Sequence, residues 1–442
     1  MYYMFKPNTP NLIQALYLLG FADNSLTLSG RFVSWKERAS AWSAYLNLAG
    51  YLSVEAINMA VDYLAAEKPF KVGDAIIPPE QVKIELKQAC DAAKSSGRFN
   101  PDIFLREFAK QPYFTVPDIL DLLTFLQQTA FDRKFGQERD KLSTKSWMEE
   151  HNAEFIACAD SIGMLSSTNP TNAKFCGVAI MGAGTFRMGT RIDYFAQLLK
   201  EGKIQFDSLW EVTGLRELSK GLDDEEVLLK IASKLGILLT YVEKPVAPNS
   251  KETRIFANGL NERMAMQFLI GEKLGGLLAS IKLVNSGVEP THWRATTAEN
   301  AKDLAPRVIK MIQENKLQPS PDGCHHFMII VEQPYQLRMA KQIQREFNAE
   351  IAKQKLSIEI QVEGSGQPAN PGPKSLPSIN SELAALLAEH FKDTRSMLTE
   401  DPGSLRNTAA IMFSSRDDWH KKILLAAAPS APTPTKNPPS PV

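Results

Sequence analysis

Apolar residues recur at helical spacing through the first third of the chain: Leu12, Ala15, Leu16 and Leu19, then Trp35, Ala39, Trp42 and Leu46, then Val54, Ile57, Val61 and Leu64. Helix-start chemistry agrees with the spacing. Ser53 can cap the third of these segments, Pro79 suits the first turn before residues 82–92, and Pro117 suits the first turn before 118–131. The pattern predicts an all-helical N-terminal region over residues 1–165, its stripes, Trp35 and Trp42 included, facing an internal core. At 166–173 the composition turns to Ser, Thr, Asn and Pro, which marks a boundary. Beyond it short β-rich runs alternate with helical stretches, at 175–181, 206–212, 280–284, 327–331 and 357–362. That alternation predicts an α/β domain over 174–425, with a mostly parallel sheet covered by helices on both faces. Residues 426–442, rich in Pro, Ala, Ser and Thr, lack the apolar side chains that offset ordering entropy and read as a disordered tail.

Composition narrows the function classes. The 442 residues carry 50 basic and 50 acidic side chains, which argues against a uniformly basic nucleic-acid binder, so no nucleic-acid partner is expected. Cys90, Cys158, Cys176 and Cys324 are scattered without CxxC spacing, as reduced thiols in a reducing compartment would be. A bilayer span needs about 20 apolar residues, and the runs at 236–242 and 275–284 are short and broken or flanked by charge. The apolar run within 1–21 follows Pro7 and Pro10 and lacks a basic leader and a small-residue cleavage site. A cytoplasmic protein without a transmembrane segment is therefore expected.

In a parallel sheet of this kind ligands bind at the carboxyl ends of the strands, so the loops after the five runs are where chemistry is expected. The first loop, residues 182–191, opens with Gly182, Ala183 and Gly184 and leads into a helix with Arg187 and Arg191. Glycines let backbone N–H groups approach a ligand, a helix start favours an anion, and guanidinium forks match phosphate or carboxylate oxygens. The loop fits neither standard phosphate motif: the lysine of a P-loop is missing, and Arg187 replaces the third glycine of GxGxxG. A tight turn bearing solvated arginines explains it equally well. The second loop sets Gly214 and Arg216 just past a strand end. Glu262 lies on a helix, where it can bond a ribose hydroxyl, act as a base, or simply be solvated. In the fourth stretch Thr296 or Thr297 can cap a helix whose first turn carries Glu299 and Asn300. The last loop runs Glu332, Gln333, Pro334, Tyr335, Gln336, Leu337, Arg338.

Taken together these loops resemble the YdcF-like family, the group related to the SanA and ElyC envelope proteins, over roughly residues 174–363. The elements carrying the resemblance are Gly182, Gly184 and Arg191; Gly214; Glu262; Thr297, Glu299 and Asn300; and Gln333, Pro334, Tyr335 and Arg338. The resemblance implies a Rossmann-like α/β domain that binds a small polar or nucleotide-like ligand, with S-adenosylmethionine as the cofactor suggested for the group. Arg187, Arg191 and Arg338 would hold anionic groups, the Gly182–Gly184 backbone would line the site, and Glu262, Glu299 and Asn300 would bond hydroxyl or amine groups. A hydrolytic or group-transfer step would use Glu262 or Glu299 as base. Gln336 stands where relatives carry a His, which argues against His-dependent chemistry. The competing expectation is a non-enzymatic interaction protein that meets a protein partner through its N-terminal helices.

Three other constellations carry less. Cys324, His325 and His326 alternate between strand faces and have no partner motif, so no metal is expected. Gly364-Ser365-Gly366 lacks the surroundings of a hydrolase nucleophile elbow and reads as a turn. Arg133, Lys134, Arg139 and Lys141 are interleaved with acidic residues and read as a solvated face.

Overall fold

The structure is a computed structural model that describes residues 26–28, 31–33, 35–49, 53–67, 69–72, 74–94, 146–246, 253–276, 283–288, 296–370 and 375–400. The segments 12–19 and 118–131, the basic cluster at 133–141 and the tail at 426–442 lie outside these residues. In chain order the elements begin with β1 (Leu26–Leu28), β2 (Arg31–Val33), α1 (Trp35–Leu48), α2 (Val54–Glu67), β3 (Phe70–Val72), β4 (Ala75–Ile77), α3 (Pro79–Lys94), α4 (Ser146–Glu150) and α5 (Asn152–Ile162). They continue with β5 (Lys174–Phe175), β6 (Gly177–Met181), α6 (Thr185–Lys200), β7 (Gln205–Phe206), β8 (Leu209–Gly214), β9 (Glu217–Ser219), α7 (Glu225–Leu235), β10 (Tyr241–Pro245) and β11 (Thr253–Asn261). The last are α8 (Glu262–Leu274), β12 (Leu283–Val288), α9 (Thr297–Gln313), β13 (His325–Ile330), α10 (Gln336–Gln354), β14 (Ile360–Ser365) and α11 (Leu376–Glu400).

Two compact units emerge. The first comprises Ser34–Ile162 with the segment from Leu387, and the second comprises Leu26–Val33 with Gly163–Leu386. The helices expected through Trp35–Leu46 and Val54–Leu64 and after Pro79 are present, and the Ser53 side chain accepts the Ala56 N–H at 3.1 Å. The N-terminal region is nevertheless not all-helical, because β1 pairs with β2 and β3 with β4, both antiparallel. Strands of three residues are too short to show a period-two pattern, and only the intervening Gly73-Asp74 hints at the second pair. In the first unit Trp42 is fully buried, meets Tyr45 edge-on at 5.8 Å between ring centroids, and Tyr45 lies 6.4 Å from Phe155 of α5. Trp42 and Leu46 of that stripe are thus core. No helix among the described residues is long and apolar enough to cross a membrane.

The second unit is built on five parallel strands in the order β12-β8-β6-β13-β14. Side chains alternate across this sheet. Val178, Ile180, Leu209, Met328 and Ile330 share one core with α6, α7 and α8. Ala179, Met181, Trp210, Val212, Phe327 and Ile329 share the other with α9 and α10. Apolar residues on both faces explain why these runs lack polar alternation. Between β8 and β12 the chain adds a three-stranded antiparallel sheet, β10-β11-β9, that the hydrophobic pattern does not predict. Its strands mix exposed and buried positions, and register slips between Phe256 and Asn261.

Candidate functional site

From β6 the chain runs outward through α6 to β8, and it later returns through α9 to β13 on the other side of β6. The loops after β6 and β13 therefore lead to opposite faces and diverge at the carboxyl edge of the sheet. Several of the residues singled out from the sequence meet here.

Glu332, which sequence reasoning passed over, is the hub. Its carboxylate accepts from both Arg187 and Arg191. Arg191 is 2% exposed and also donates to the carbonyls of Met181 and Gly182, the latter at 2.8 Å. The Arg187 guanidinium lies over the Tyr335 ring, 4.1 Å from its centroid. Burial alone would raise the Glu332 carboxyl; the charges of Arg191 and Arg187 outweigh it and hold the group at about 2.

A second buried charge cluster adjoins the same glycine loop. Arg216 forms a fork with Asp223, both N···O distances being 2.9 Å, and donates to Glu262 at 3.2 Å. Asp223 in turn accepts the backbone N–H groups of Thr185, at the start of α6, and Ser219. It thereby fixes the turn after β6. Gly182 is required by a close approach: a Cβ there would lie 2.2 Å from Glu262 Oε1 and 3.1 Å from Thr213 Cα. Gly184 is the residue preceding α6 and has no side chain to cap it; the Asp223 carboxylate takes the first helical N–H instead. Gly214 closes β8.

Other expected site residues have different employment. Thr296, not Thr297, caps α9; its hydroxyl accepts the Glu299 N–H, and Glu299 Oε2 accepts the Thr296 N–H at 2.6 Å. Glu299 is thus held in a capping box, the helix-cap alternative to a base. Thr297 opens the same helix, and Asn300 is buried in its first turn with Oδ1 lacking a hydrogen-bond partner among the described residues. Arg338 pairs with buried Glu382 of α11 at 2.7 Å and with Gln342 at 3.0 Å, so its guanidinium is committed to helix packing. Gln333 anchors its loop by donating to the carbonyls of Gly163 and Ser166, each at 3.0 Å. The Gln333–Pro334 peptide is cis. Gln336 donates to Thr168 and to the Gly364 carbonyl. His326, in β13, bonds Asp322 at 2.8 Å, and neighbouring residues of that strand face opposite cores.

Glu211, in the middle of β8, is the second residue the sequence reading missed. It is 1% exposed, and among the described residues neither carboxylate oxygen has a well-formed hydrogen bond. Burial pushes its carboxyl up to about 7, while Gln267 and Arg263 on α8 pull it down only in part. The folded value exceeds the ordinary 4.5, so the native state keeps a proton that the unfolded chain releases. The stability this confers is complete below about pH 4.5 and is lost as pH rises through about 7. Glu211→Gln, neutral at every pH, is expected to match the parent near pH 5 and to exceed it at pH 8.5 by on the order of 3 kcal/mol. Urea midpoints of both proteins at the two pH values measure this; parallel pH profiles would rule it out.

Compared with family models, curated proteins and solved structures, the chain matches none of them.

Proposed function

We propose that the second unit is a Rossmann-like domain of YdcF type whose crevice between the loops after β6 and β13 binds a nucleotide-like small molecule. That ligand is either phosphate-bearing or, like S-adenosylmethionine, free of phosphate. The observation that carries the reading is the sheet order β12-β8-β6-β13-β14, which reverses direction at the β6–β13 pair. Open parallel sheets bind ligands at such a reversal, outside the carboxyl ends of the strands. The glycine loop, Arg187 and Tyr335 gather at this point. Glu262, lying against Gly182, would bond a hydroxyl or amine, and in a hydrolytic or group-transfer step it would take the proton.

Thermal unfolding of the full chain against S-adenosylmethionine, adenosine, ATP and sugar phosphates tests this. A ligand at 100 times its dissociation constant adds roughly 2.7 kcal/mol of stability. Arg187→Ala should weaken the response while leaving the fold intact, because that side chain is 38% exposed. A flat response to the whole panel refutes the proposal and favours the interaction-protein alternative.

A further inference from the structure

We propose that Glu332 sets the ligand class of this crevice, which admits a group without net negative charge, such as a nucleoside or an ammonium-bearing moiety, and turns away phosphate. The inference rests on the ligand-binding reading above and chooses between its two ligand types.

The two arginines at the β6–β13 reversal are already matched by a carboxylate. Arg187 and Arg191 converge on Glu332, so the N–H groups that a phosphate would use in a forked contact are bonded to an acid of the protein itself. The neighbouring guanidinium offers no reserve, since Arg216 is shared between Asp223 and Glu262. Arg191 is held inward: it is buried, its Nε donates to Glu332 and its Nη1 to the carbonyls of Met181 and Gly182. Arg187 is the accessible member of the pair, but its face is stacked on Tyr335.

Glu332 is also fixed in place. The residue before it donates its N–H to Ser365 at 2.9 Å, and the residue after it donates to Gln367 at 3.0 Å. Backbone hydrogen bonds on both sides tie this stretch to the end of β14, and the two guanidiniums hold the carboxylate itself. Its strongly depressed protonation keeps it charged throughout the physiological range. An entering phosphate would meet a held anion and, if it took the guanidiniums, would leave a largely buried carboxylate uncompensated. An ammonium or a ribose hydroxyl displaces neither guanidinium and can donate to the remaining lone pairs of Glu332 and Glu262.

Thermal unfolding and calorimetry of the full chain in sodium phosphate against sodium chloride at equal ionic strength test the role of Glu332 without a cognate ligand. Phosphate stabilises folded proteins generally, so the parent should show that effect without saturable phosphate binding by calorimetry, whereas Glu332→Gln should bind inorganic phosphate about tenfold more tightly than the parent. That gain should disappear in the double variant Arg187→Ala/Glu332→Gln. Saturable binding of phosphate to the parent as tight as to Glu332→Gln, or a folded Glu332→Gln that gains no phosphate binding, overturns the proposal. Should Glu332→Gln not fold in either salt, the parent decides through a matched pair of probes: adenosine should bind about tenfold more tightly than adenosine 5′-monophosphate. Equal or tighter binding of the monophosphate overturns the assignment. If neither probe binds the parent, the nucleotide-like reading fails, and unless a folded Glu332→Gln gains phosphate binding the assignment to Glu332 falls with it.

Discussion

Replacing Arg216 by methionine is expected to destabilise the protein by about 3–5 kcal/mol, among the largest losses a single side chain here can cause. The guanidinium is 2% exposed and holds Asp223, which is fully buried, by two bonds of 2.9 Å, with Glu262 at 3.2 Å. Methionine fills a similar volume, so the loss comes from stranding two carboxylates rather than from a cavity. Because Asp223 also accepts from the backbone of Thr185 and Ser219, the turn after β6 should loosen together with the charge cluster. Urea denaturation measures the loss, and hydrogen exchange at Thr185 and Ser219 reports the local effect. A variant within 1 kcal/mol of the parent would show that the cluster contributes little net stability.

Gly366→Ala is the second change with a large expected cost, about 3 kcal/mol or more. A Cβ at this position would lie 1.7 Å from the carbonyl oxygen of Val331 and 2.5 Å from its carbon. Both are backbone atoms at the end of β13, so no rotamer change relieves the overlap. The two chain segments must separate, and Glu332 sits on one of them. Gly182→Ala makes an instructive comparison, because its closest obstacle is the Glu262 carboxylate, a side-chain group that can swing aside. The alanine at 366 should therefore lower the unfolding midpoint more than the alanine at 182, and the reverse order would contradict the geometry.

What the sequence disclosed follows from how far each signal reaches along the chain. The parallel strands were readable because runs such as Val178–Ala179–Ile180–Met181 are apolar on both faces, and the loop glycines lie directly behind them. The third strand was placed early, at 280–284, because Asn285, Ser286 and Gly287 break the apolar run of β12. The short pairs β1–β2 and β3–β4 give no period, and the β9–β11 sheet is too mixed in polarity to stand out. Arg187 and Arg191 were recognisable as a charged pair on the first turns of a helix. Their partner Glu332 was not, because it follows in sequence by more than a hundred residues and meets them only through the strand order. Glu211 did leave a trace: a carboxylate between Trp210 and Val212 in an apolar strand signals a perturbed acid. Arg338 misled because its place after Gln333-Pro334-Tyr335 suggested the ligand, while Glu382 lies on the final described helix.

The division of the chain bears on how it is made. The first unit takes Ser34–Ile162 early and then the segment from Leu387, whereas the second draws on Leu26–Val33 and on Gly163–Leu386. Neither is finished when residue 162 leaves the ribosome. At a synthesis rate of about 5–20 residues per second, the early helices wait for the whole parallel sheet to be translated before their last contributing segment exists. Completion of the N-terminal body is thus a late event, and nascent chains arrested before Leu387 should present its unfinished surface to chaperones.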